Sequence, residues 1–138
     1  MEFSRRDTLA LGLGAAVATV LPFRALASAD EAIAAFTGGA ETGESGITLT
    51  APEIAENGNT VPISVSAPGA IAITVLASGN PVPGVATFNF GELAGDQSAS
   101  TRIRLAGTQD VIAIAKMADG SFVKAQSTVK VTIGGCGG

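Results

Sequence analysis

From Thr60 to Ala67 the chain alternates without a break, with Val61, Ile63, Val65 and Ala67 on one side and Pro62, Ser64 and Ser66 on the other. Successive side chains of an extended strand point to opposite faces, so a period of two specifies a strand with one face in a core and one in water. Ser98 to Leu105 repeats the pattern: Ala99, Thr101, Ile103 and Leu105 oppose Ser98, Ser100, Arg102 and Arg104.

Five further segments have strand character: Ile47 to Thr50, Ile71 to Ala77, Val85 to Phe90, Gln109 to Met117 and Ser121 to Ile133. Seven short strands in about a hundred residues predict an all-β, immunoglobulin-like sandwich over residues 46–133. Asp119-Gly120 lies between two apolar runs and predicts a tight hairpin, whose twist requires positive φ. Asn57-Gly58, Asn80-Pro81 and Ala94-Gly95-Asp96 mark other junctions. Before the sheet, Asp30 to Phe36 reads as one short helix capped by Ser28 or Asp30, with Ala32, Ile33 and Phe36 on one side. Thr37 to Ser45 is a Gly/Glu-rich connector, so residues 28–45 form a helix-and-connector unit.

The N-terminus reads as an address. Ser4-Arg5-Arg6-Asp7-Thr8-Leu9 is a twin-arginine opening, followed by an uncharged stretch from Thr8 to Phe23 and the small-residue signal Ala25-Leu26-Ala27. Residues 1–27 are therefore expected to be a Tat-type export signal cut after Ala27, which places the protein in the periplasm. The apolar stretch contains Gly12, Gly14 and Pro22 and is short for a membrane span of about 20 residues. Cleavage would leave 111 of the 138 residues, one small domain with no further span. It would also take the net charge from −4 to −5, since Arg5, Arg6 and Arg24 leave with Glu2 and Asp7. The remaining cations, Arg102, Arg104, Lys116, Lys124 and Lys130, are too few and too scattered for a nucleic-acid surface.

At the other end the chain has its single cysteine, Cys136, flanked by Gly134, Gly135, Gly137 and Gly138. Residues 134–138 read as a side-chain-poor arm that presents a thiol to other proteins. Glycine lets a backbone approach another surface closely, and three extended residues carry the sulfur on the order of 10 Å beyond the last strand. With no second cysteine, Cys136 is either a reactive thiol or a link to another chain. The chain has no His, Trp or Tyr, so no Cys-His or Ser-His-Asp constellation exists. Nor does the tail offer the thiol a cation, and the Gly138 carboxylate disfavours thiolate. A sequence of this kind expects activation from outside.

Two features suggest a partner surface. Val111-Ile112-Ala113-Ile114-Ala115 is apolar on both faces, and such a strand needs cover beyond its own second sheet. Ile112 and Ile114, with Ile33 and Phe36 of the helix, are therefore candidate partner contacts, although the helix could itself supply the cover. Phe122 shares the parity of Lys124, Gln126, Thr128 and Lys130, and is either an ordinary exposed apolar residue or a further contact.

The stretches Pro52 to Pro62, Val85 to Phe90, Ser100 to Gln109 and Val129 to Gly138 together resemble the SoxY family, sulfur-compound carriers of the bacterial Sox system for thiosulfate oxidation. The resemblance runs through nearly all of the chain after residue 27. It implies a non-catalytic subunit without a cofactor of its own, in which Cys136 holds the substrate covalently. It further implies a heterodimer with SoxZ and a possible Cys136-linked dimer of heterodimers. Transient visits to SoxAX, SoxB and, where present, SoxCD complete the implied set. Between Ser66 and Ile71 the chain has only Ala67-Pro68-Gly69-Ala70, where many family members have a longer acidic loop, which bears on docking and not on Cys136. The sequence is also compatible with two other classes: a β-sandwich module that uses Cys136 for an intermolecular disulfide, and a thiol enzyme, the latter disfavoured because no base or resolving cysteine accompanies the thiol.

Overall fold

A computed structural model describes residues 28–134. The chain enters through helix α1 (Ala29–Thr37). The Ser28 side chain accepts a hydrogen bond from Glu31 N at 3.2 Å, so Ser28 rather than Asp30 is the N-cap. Asp30 and Glu31 sit in the first turn, where the helix dipole favours negative charge, and Gly38 ends the helix in the left-handed conformation at φ 66°.

Nine strands follow: β1 (Thr42–Gly43), β2 (Thr48–Thr50), β3 (Ile54–Asn57), β4 (Val61–Ser66), β5 (Ala70–Ala77), β6 (Gly84–Asn89), β7 (Ser98–Ile103), β8 (Gln109–Met117) and β9 (Phe122–Ile133). One sheet has the order β1-β9-β8-β5-β6 with β3 also on β9, and the other has the order β2-β4-β7. All seven strands expected from periodicity are present as β2 and β4 to β9. The two additional strands, β1 and β3, both pair parallel with β9, through Thr42↔Phe122 and Ile54↔Lys130. Their segments are too short to show a period, and only the long-range partner makes them strands.

The sandwich interior is the inward parity of these strands. Val61, Ile63 and Val65 of β4 and Ile103 of β7 face Ile73 and Val75 of β5, Val111, Ala113 and Ala115 of β8 and Val129 of β9. Ala55 of β3 joins this core, which explains how a strand with one inward apolar side chain holds its place. On the opposite face of the larger sheet a second, smaller cluster forms: Leu76, Ile112 and Ile114, packed by Ala29, Ala32, Ile33 and Phe36 of α1 and by Phe122. β8 is thus buried on both faces because the helix lies on one of them.

The β8–β9 hairpin turns at Asp119-Gly120, with Gly120 at φ 87° and Met117 N bonded to Ser121 O at 2.8 Å. The Asp119 carboxylate accepts from both the hydroxyl and the amide of Ser121, at 2.6 and 2.9 Å. These bonds hold the carboxyl below its ordinary value, the hydroxyl contributing most. A depressed folded pKa means that the turn's stabilisation is complete above the ordinary aspartate range and is lost as pH falls below it and through the lower folded value. An NMR titration should accordingly find the Asp119 midpoint below that of a free aspartate, and Ser121→Ala should move it back up.

Candidate functional site

β9 runs twelve residues and delivers the chain toward Cys136, so the last strand is the structural base of the thiol. Its end is held on two sides. On one, Lys130 N donates to Glu53 O at 2.9 Å as β3 runs alongside. On the other, Val131 N donates to Thr108 Oγ1 at 3.0 Å, just before β8 begins. The carbonyl of Ile133, the last strand residue, accepts from Gly58 N at 2.8 Å, and Gly58 O accepts from Leu105 N at 2.8 Å. Backbone bonds of this kind are obligatory where water is excluded, and Gly58 is buried. The strand end is therefore tied into the domain up to its final residue.

The expected site residues divide into three groups. Cys136, Gly135, Gly137 and Gly138 lie outside the described residues, as does the twin-arginine segment. Gly134 is described, directly after the held strand end. Ile112 and Ile114, expected to meet a partner, are instead covered from within: they are 6 % and 0 % exposed beneath α1. Ile33 and Phe36 point into the same cluster, and the rings of Phe36 and Phe122 meet edge-to-face with centroids 5.8 Å apart. Phe122 breaks the polar pattern of its face because it completes the seat of the helix. These five residues form an internal contact, and the hydrophobic demand of β8 is met by the chain's own helix.

Sequence reasoning overlooked Asn80 and Gln109. Gln109 is 7 % exposed and shares the inward parity of Val111, Ala113 and Ala115, a polar group at the head of an apolar row. That mismatch was the available signal, since a buried amide requires partners. Asn80 supplies one of them, accepting from Gln109 Nε2 at 2.9 Å. Among the described residues no three acidic, thiol or imidazole groups converge to hold a metal ion, and no helix is long and apolar enough to cross a membrane.

The sequence profile of the family described as sulfur oxidation protein SoxY matches residues 33–136, which spans most of the chain and includes Cys136. The chain belongs to the SoxY family. Among solved structures it is similar to the sulfur carrier protein SoxY from Chlorobium limicola f thiosulfatophilum, with 36% identity and a TM-score of 0.64 over 75% of this chain and 96% of that one. Superoxide reductases (neelaredoxins) share the fold: that of Ignicoccus hospitalis matches at TM-score 0.55 and 18% identity over 75% of this chain and 93% of that one. A superoxide reductase described as putative, from Thermotoga maritima, matches at 0.52 and 18%, over 70% and 89%. At such identities the likeness concerns architecture alone. No curated protein matches the chain. Family and structure together match a sulfur carrier protein of the Sox system, with the immunoglobulin-like sandwich of that family.

Proposed function

We propose that this SoxY-family protein carries sulfur-oxidation intermediates covalently on Cys136 and presents them to separate enzymes in the periplasm, after export by the twin-arginine pathway. The observation that supports this reading most is the family match running through Cys136, joined to a strand end tied into the sandwich. In the first step the thiol and thiosulfate lose two electrons and one proton to form a sulfur–sulfur bond, giving a cysteine S-thiosulfonate. The electrons pass to the haem of SoxAX. In the second, water attacks the terminal sulfonate sulfur on SoxB, the bond to the inner sulfur breaks, and sulfate and two protons leave with a persulfide remaining on Cys136. Where SoxCD is present it oxidises that remaining sulfur. The carrier is a heterodimer with SoxZ.

Division of labour follows from the side chains. The chain has neither a histidine nor a second cysteine, so it supplies attachment while its partners supply activation. Intact mass tests the reading: with thiosulfate and the haem oxidant, Cys136 is expected to gain a thiosulfonate, which SoxB then shortens to a persulfide. A chain that forms disulfide dimers and no sulfur adduct under these conditions is a structural module and not a carrier.

A further inference from the structure

Gly134 is glycine for want of room and not for want of stiffness. Its φ is not in the left-handed region, unlike that of Gly38, Gly69 or Gly120, so its backbone would accept any L-residue. A Cβ placed there would fall inside contact with the carbonyl oxygen of Ala106 and lie 3.3 Å from the carbonyl carbon. The obstacle is backbone, which no rotamer change moves aside. A Cβ on Gly107, the residue after Ala106, would meet only open space.

Ala106 is in turn immobilised by two amide side chains. Asn80 Oδ1 accepts from Ala106 N at 2.9 Å while Asn80 Nδ2 donates to Arg104 O at 2.8 Å, so one side chain bonds two residues of the loop. Gln109 Nε2 donates to Gly107 O at 3.0 Å and to Asn80 Oδ1 at 2.9 Å, and Gln109 Oε1 accepts from Gly79 N at 2.8 Å. The network centres on the buried Gln109 amide and is otherwise part-buried, and it resists displacement because movement of the loop would leave that amide unpaired. The loop it holds is the one that fastens the end of β9 through Leu105, Gly58 and Thr108.

We infer that Gly134 is a fixed exit point, seated on the Ala106 carbonyl and positioned by Asn80 and Gln109, from which the Cys136 segment leaves the domain. The inference rests on the carrier reading for its purpose, and assigns Asn80, Gln109 and Gly134 as positioning residues. Cys136 lies two residues beyond Gly134, a reach of about 7 Å. A shift of one or two ångström at the root is then a sizeable part of the whole reach, and misplacement of that size costs on the order of 100-fold where reacting atoms must meet.

The test compares Gly134→Ala, Gly135→Ala and Asn80→Ala in the full chain. It reads amide hydrogen exchange at Gly58, Leu105 and Val131, thiol alkylation by a small maleimide, and the rate of thiosulfonate loading by the haem oxidant. For Gly134→Ala and Asn80→Ala, exchange at these amides is expected to rise about tenfold, the loss of roughly one hydrogen bond. Loading should fall by on the order of 100-fold, with maleimide rates unchanged. Asn80→Asp keeps the acceptor for Ala106 N but sets a carboxylate oxygen against the Arg104 carbonyl where Asn80 Nδ2 donates, so it should not recover the loading. Gly135→Ala should leave exchange at wild-type rates and slow loading far less. Equal loading losses for Gly134→Ala and Gly135→Ala with exchange unchanged would overturn the inference and make Gly134 an ordinary flexible link. Should even the wild-type chain fail to load, the carrier reading falls, and the exchange rates still decide whether the exit point is fixed.

Discussion

Cys136→Ser is expected to abolish sulfur carriage altogether while leaving the domain as stable as before. Serine replaces sulfur with a hydroxyl that forms no bond to the sulfane sulfur of thiosulfate, so neither the thiosulfonate nor the persulfide has an attachment point. Stability is untouched because the described core, from Ala55 to Val129, is complete without the tail. Thermal unfolding and circular dichroism should superimpose on wild type, and intact mass after incubation with thiosulfate and the haem oxidant should show no adduct. Thiosulfate-dependent turnover by the serine variant in a reconstituted system would remove Cys136 from the mechanism.

The second large effect concerns the seat of the helix. Ile114 is fully buried between β8 and α1, in a cluster with Leu76, Ile112, Ile33, Phe36 and Phe122. Ile114→Ala removes buried methyl groups and opens a cavity that the surrounding packing closes only in part, at a cost of about 2–5 kcal/mol. For a domain of this size that lowers the melting temperature by roughly 10–25 °C. Phe36→Ala should cost less, because Phe36 is only half-buried at the helix surface and loses mainly its edge-to-face contact with Phe122. Equal melting temperatures for wild type and Ile114→Ala would mean that the helix does not bear on the sheet in solution, and would return β8 to the list of partner surfaces. A folded Ile114→Ala chain should still accept sulfur on Cys136, since the helix seat and the exit point use different residues.

Alternation in Val61-Pro62-Ile63-Ser64-Val65 and in Ser98 to Ile103 was sufficient to define strands and their inward faces, because the period of two is a local property of extended backbone. Helix α1, its cap and the Asp119-Gly120 hairpin were legible for the same reason: each depends on residues within a few positions of one another. The doubly apolar row of β8 was legible as a need for cover, but not as a need already met. That answer required knowing that a helix more than seventy residues earlier folds back over it. β1 and β3 were invisible, since a two-residue strand and a strand with one inward apolar residue exist only through parallel bonds to β9.

The chemistry followed a similar division. One cysteine, no histidine and a glycine-flanked tail were enough to point to a presented thiol that others activate, because nucleophile and base inventories are properties of composition. What Gly134 is for could not be read that way: a glycine that must bend and a glycine that must fit are the same letter. Only the tertiary structure places the Ala106 carbonyl against it and the Asn80 and Gln109 amides behind that carbonyl. Close approach between backbones distant in sequence is decided by packing, and no local pattern encodes it.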